Sequence, residues 1–238
     1  MRIIFVRHGH PDYRKDCLTD LGNLQAAAAA KRLAHEGIQE IYSSTCGRAL
    51  ETAEHTAREI GITEIVKCDF MREISWGSID GSEIYMKGHP WYSADHMIAT
   101  GQNLLDTNWM TNELFSNNIV TNQVQDKAKA FDELLASFGY QRDGHFYRVN
   151  EDNDKTIAVF SHAGASSAVL SHFLNLPFPF LCSVMVPSLT GISVITLSGE
   201  KGTLVSPRVE IFNDAKHISG VAVTEEQKAA AQKRAFSL

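Results

Sequence analysis

Arg7-His8-Gly9 follows directly on the apolar run Ile3-Ile4-Phe5-Val6, and these three residues place a cation, an imidazole and a glycine side by side. A β-branched and aromatic run that stops at a cation, an imidazole and a glycine reads as a strand delivering reactive groups to its C-terminal edge. That edge is where open α/β sheets bind ligands. The planar fork of arginine matches phosphate and carboxylate oxygens. Histidine can act near neutral pH as nucleophile, base or metal ligand, and glycine allows a ligand close to the backbone. A structural histidine with its bonds satisfied inside the fold explains the tripeptide equally well.

Three later segments offer matching chemistry. Ser43-Ser44-Thr45-Cys46-Gly47-Arg48 puts Arg48 at the start of a helix, where a cation opposes the helix dipole unless an anion lies between them. The plainer alternative is a solvated Arg48 paired with Glu51 or Glu54. Ser161-His162-Ala163-Gly164 opens another helix, and its turn amides with an imidazole form an anion site. Otherwise His162 is a cap residue or a buried structural histidine. Glu73 stands between Arg72 and the apolar Ile74 and Trp76, surroundings that can keep a carboxyl protonated for donation. A salt bridge to Arg72 is the competing account.

Positioning these groups requires alternating strands and helices. Ile3–Val6 is the first expected strand, and Thr19 the N-cap of a helix over 20–36 that ends at Gly37. Strands are expected at 38–42 and 65–68, with a helix over 47–60 between them that stops at Gly61. The pattern resumes with a strand at 156–160, a helix over 163–175, strands at 192–197 and 205–212, and a terminal helix over 224–235. Such alternation predicts a three-layer α/β sandwich, its central sheet mainly parallel and its helices on both faces. Residues 81–122, polar and rich in Asn, Met and Trp, interrupt it, and a helix over 122–138 follows. We expect a single domain over 1–238 with a helical insertion at about 81–140 capping the C-terminal sheet edge. In it Trp91, Tyr92 and Trp109 either contact substrate or pack internally.

Composition narrows the functional classes. A formal charge of −6 disfavours general binding to nucleic acid or anionic membranes. The cysteines, Cys17, Cys46, Cys68 and Cys182, form no CxxC pair, which suggests free thiols in a reducing compartment. The first apolar run is too short for a signal-peptide core, and the stretch 181–197 is broken by Pro187 and Gly191, reading as loop plus strand. A cytoplasmic protein is expected, with room for a homodimer in the apolar C-terminal half.

Taken together, Arg7-His8-Gly9, the segment Leu18 to Ala26, Arg48-Ala49-Leu50-Glu51-Thr52-Ala53, Glu73 with Gly77 and Gly81, and Ser161-His162-Ala163-Gly164 resemble, in order, the histidine phosphatase (phosphoglycerate mutase-like) superfamily. The resemblance implies a metal-independent phosphomonoesterase, without cofactor, acting on a small phosphate ester. His8 would form a phosphohistidine, and Arg7 and Arg48 would clamp the phosphoryl oxygens. His162, with the Ala163 and Gly164 amides, would assist there, and Glu73 would act as acid and then base. His10 and Pro11 depart from the usual motif, and Arg14 replaces a phosphate-contacting Asn of the mutases. His10 and Arg14 are candidates for substrate binding. Ile74 replaces the arginine that follows the acid in mutases, and the chain has no Arg-Arg pair, so a phosphatase is favoured over a phosphoglycerate-type mutase. Two other readings are a metal-dependent hydrolase using His8 and His10, which an extended backbone projects to one side, and a non-catalytic phospholigand binder.

Overall fold

The computed structural model describes residues 1–219 and residue 221, so the expected helix over 224–235 lies outside the described residues. Strand β1 (Arg2–Arg7) leads to a small hairpin, β2 (Pro11–Asp12) and β3 (Cys17–Leu18), then α1 (Asp20–Leu33), β4 (Glu40–Ser43), α2 (Gly47–Ile60) and β5 (Ile65–Lys67). Next come α3 (Pro90–Ala99) and α4 (Val120–Ser137). There follow β6 (Tyr140–Asp143), β7 (Phe146–Val149), β8 (Thr156–Ser161), α5 (Ala163–Phe173), α6 (Phe178–Val184), β9 (Ile192–Thr196), β10 (Leu204–Val205) and β11 (Arg208–Asp214).

Six strands form the central sheet in the order β11-β9-β1-β8-β4-β5. β1, β8, β4 and β5 run parallel, while β9 is antiparallel to both of its neighbours. The fold is therefore the expected mainly parallel α/β sandwich. Alternation along β1 builds its layers, because successive side chains of a strand point to opposite faces. Ile4 and Val6 pack with Leu33 of α1 and with Ala53 and Ala57 of α2. Ile3 and Phe5 pack on the other side with Phe131 and Leu135 of α4 and with Val169 and Phe173 of α5. A third cluster joins α3, α4 and the residues between them to α5 and α6 through Met97, Trp109, Phe115, Val124, Ala168 and Phe178. Trp109 is thus a packing residue, edge-on to Phe115.

Local signals set several boundaries. Thr19 caps α1, its hydroxyl accepting from the Gly22 amide at 3.1 Å. Gly61 ends α2 at φ 76°, a left-handed conformation that favours glycine. Helix α1 stops at Leu33, short of the expected Glu36. Three features depart from the sequence expectation. The stretch read as loop plus strand after 181 begins inside a helix, α6. The expected strand over 205–212 is two, β10 and β11. A separate sheet, β10-β7-β6, sits beside the main one. Among the described residues no helix is long and apolar enough to cross a membrane, and all four cysteines are free.

Candidate active site

Strand register brings the site together. Arg7 pairs with Ser161 and Ser43 with Phe160, so His8, His162 and Ser44 leave adjacent parallel strands at nearly one level. The His8 amide donates to the Ser161 carbonyl at 2.9 Å. All three side chains are buried, and Arg48, in the first turn of α2, joins them.

His8 has a defined resting state. Its Nδ1 lies 2.7 Å from the Gly9 carbonyl, which only accepts, so Nδ1 carries the proton and Nε2 keeps the lone pair. Arg48 Nε donates to that Nε2 at 3.3 Å. Burial first, and then the charge of Arg7, push the His8 pKa down to about 3, Arg48 and His10 acting in the same direction. The ring is therefore neutral at physiological pH.

The rest of the Arg48 guanidinium is committed to the β2–β3 hairpin. NH1 is paired with Asp16 Oδ1, and the guanidinium lies 5.3 Å from the ring centroid of Tyr13. Asp16 Oδ2 also accepts from the Gly47 amide at 2.8 Å, so one carboxylate meets both the arginine and the start of α2. Asp16 reaches this place with φ 50°, a left-handed backbone that aspartate tolerates better than most residues. Glu51 and Glu54, weighed as partners for Arg48, lie elsewhere: Glu51 accepts from the Leu18 amide and Glu54 pairs with Arg58.

Arg7 donates through NH1 to the Pro187 carbonyl at 2.8 Å, while its buried Nε has no hydrogen-bond partner among the described residues. His162 opens α5 without capping it. Its Nε2 lies 2.8 Å from Ser44 Oγ, an oxygen that accepts from the Cys46 amide, and its Nδ1 is buried without a hydrogen-bond partner among the described residues. The His8 and His162 rings meet edge to face at 5.1 Å. Burial, then the neighbouring His8, Arg48 and Arg7, pushes the His162 pKa far down.

Glu73 approaches from a separate loop. Oε1 accepts from the Ala165 amide at 2.9 Å and from Ile74 at 2.9 Å, and Oε2 faces the Gly164 amide at 3.4 Å. The carboxylate thus meets the amides at the start of α5, an electropositive helix end, and Arg72 turns instead to Thr45. Gly164 is required by this approach: a Cβ there would lie 2.5 Å from Ile74 Cδ1 and 2.7 Å from Glu73 Oε1. The Gly164 amide, expected to bind phosphate, faces Glu73 in this structure.

The two lesser candidates sit at the margin. His10 Nδ1 is 2.9 Å from the Thr19 hydroxyl, and Arg14 is exposed on the turn of the hairpin. Among the described residues no group of three His, Cys, Asp or Glu is placed to hold a metal ion. His8 and His10 each turn Nδ1 to a different oxygen. Sequence alone gives Asp16, Tyr13 and Ser44 no role of their own, each being an ordinary polar residue of a loop.

Two buried neutral imidazoles make a stability prediction. Because the folded-state pKa of His8 lies below the ordinary value of 6.5, the unfolded chain binds a proton that the folded one refuses. Stability is therefore complete above about pH 6.5 and lost as pH falls toward 3, within the linkage relation. Urea midpoints measured at neutral and mildly acidic pH should fall steeply for the wild type and less steeply for His8→Ala.

The family model for the histidine phosphatase superfamily (branch 1) matches residues 3–103 and 143–210. The chain belongs to this superfamily, and its class is a phosphatase. A protein of Hydrogenobacter thermophilus provisionally named phosphoserine phosphatase 2 is 25% identical over 213 residues, 86% of this chain and 93% of that one. Among solved structures, a phosphoserine phosphatase variant from Entamoeba histolytica, in complex with phosphoserine, is 20% identical with a TM-score of 0.59, covering 91% of this chain and 98% of that one. A mycobacterial glucosyl-3-phosphoglycerate phosphatase is 22% identical with a TM-score of 0.61, covering 89% and 98%. Its likeness, like that of the Entamoeba enzyme, is one of fold.

Proposed function

We propose that the chain is a phosphomonoesterase that works through a phosphohistidine on His8 Nε2. The observation that carries this reading is the state of His8: Nδ1–H bound to the Gly9 carbonyl, and the Nε2 lone pair facing Arg48. In the first step Nε2 attacks phosphorus, the bond to the ester oxygen breaks, and Glu73, entering as the carboxylic acid, gives that oxygen its proton and becomes a carboxylate. In the second, water attacks phosphorus and yields its proton to Glu73. The P–N bond breaks and its electron pair returns to the ring. Arg7 and Arg48 stabilise the equatorial oxygens in both steps, where fixed charge matters most. With Nε2 on Ser44, His162 offers Nδ1 as a donor to the same oxygens, and the Ala163 amide is a further candidate.

The substrate is a small phosphorylated metabolite. Phosphoserine and glucosyl-3-phosphoglycerate, named in the relatives' activities, both join a carboxylate to a phosphate ester. Arg14 and His10, on and beside the hairpin whose Tyr13 and Asp16 meet Arg48, are candidates for that second charge. The same reading takes residues 1–238 as one domain capped over about 81–140, acting in the cytoplasm on small molecules rather than nucleic acid, with a homodimer as its candidate assembly. The test is rapid quenching into alkali during turnover of radiolabelled substrate. An acid-labile, alkali-stable adduct on the His8 peptide is expected. A sample that turns over at full rate with label on another residue would refute the proposal.

A further inference from the structure

Lys127 lies in α4 and is only 7% exposed, unusual for a lysine, which is seldom buried without partners. Its Nζ donates to the Phe70 carbonyl and to the Arg72 carbonyl, each at 2.7 Å. Between them the Met71 carbonyl accepts from Ser161 Oγ at 2.8 Å. Three consecutive carbonyls on the approach to Glu73 are therefore held, two by the ammonium of α4 and one by the end of β8. Beyond them, the carboxylate itself is held by the amides of α5.

We propose that Lys127 is a positioning residue for proton transfer, clamping the backbone of 70–72 so that the Glu73 carboxylate stands at the start of α5. This rests on the assignment of Glu73 as acid and base. Electrostatics agree with the geometry. Burial lowers the Lys127 pKa, Glu73 is the first of the charges opposing that shift, and the Lys127 charge is among those disfavouring a proton on His162. The ammonium thus acts on both groups through its charge while contributing no atom to the reaction. Lys127 also falls in the segment between the two stretches that the family model matches, 3–103 and 143–210. In this chain the aim of the acid depends on a helix from outside the matched residues.

The test compares wild type, Glu73→Gln, Lys127→Met and Lys127→Arg by kcat/KM on p-nitrophenyl phosphate and phenyl phosphate. These esters have nearly the same shape, but phenoxide is the poorer leaving group and needs the proton more. Glu73→Gln should depress phenyl phosphate more than p-nitrophenyl phosphate. Lys127→Met should do the same, with a differential of about tenfold or more, because misplacing a catalytic group by an ångström costs on that scale. Lys127→Arg, which keeps the charge and the donors, should recover part of the differential. A merely structural lysine would lower both esters alike. If Glu73→Gln is selective and Lys127→Met is not, the positioning role is wrong. If Glu73→Gln is itself unselective, the assignment of the acid fails instead. Circular dichroism checks folding, and if Lys127→Met does not fold, the same ratio is read from Lys127→Gln, where an unselective result likewise overturns the proposal.

Discussion

Replacing His8 with alanine should lower kcat by at least about 10⁴-fold, the scale seen when a covalent nucleophile is deleted. It should also abolish the trapped phosphoenzyme. The fold should survive, because the imidazole is buried as a neutral ring between Arg48 and His162 and its loss leaves no buried charge unpaired. Binding of inorganic phosphate should persist, since Arg7, Arg48 and His162 remain. Residual turnover within tenfold of wild type would move the nucleophile elsewhere, His162 being the first place to look.

The second large effect concerns Arg48. Its guanidinium donates in two directions, through Nε to His8 and through NH1 to Asp16, while its plane lies near Tyr13. Arg48→Ala should reduce kcat/KM on p-nitrophenyl phosphate by about 10² to 10³-fold, the cost of removing a preorganised donor from a developing negative charge. Arg48→Lys should restore little of this. A lysine ammonium is a compact point charge on a flexible stem and cannot span both partners at once. Near-wild-type activity in Arg48→Lys would mean that charge alone is needed and the fork geometry is idle. The activated ester is the substrate to use, because its leaving group needs little help from Glu73 and the loss then reports on phosphoryl stabilisation.

Much of this site was legible in the sequence because its residues stand beside strong local signals. His8 and His162 each follow an apolar strand, and Arg48 follows a strand and opens an amphipathic helix. Thr19 and Gly61 have mechanical reasons to sit where they do. The supporting residues were not legible. Lys127 lies in a run of Gln, Asp and Lys that reads as a solvated face, and it is buried only because the backbone of 70–72, more than fifty residues earlier, folds against it. Asp16 looks like any turn aspartate until α2 begins next to it.

The fold shows the same division. Helix α6 was hidden because its seven residues, Phe178–Val184, contain Pro179 and are too short to display a helical period. The β6–β7 hairpin did carry a signal, Asp143-Gly144 between alternating Tyr147 and Val149 on one side and Tyr140 on the other. The expected helix–strand alternation leaves no place for it. The antiparallel direction of β9 follows from a connection through α6 that local pattern does not encode.

The carboxylate of Asp16 gives Arg48 a resident counter-ion. If Arg48 has the role proposed for it, an incoming phosphoryl group would trade places with, or share Arg48 with, an anion already installed, and would gain less from that arginine than from an unengaged one. Orthophosphate leaving after hydrolysis would benefit from the same arrangement, because the chain could re-form its own ion pair as the product departs. Weak product retention would thus be written into the hairpin rather than into the residues that make and break bonds.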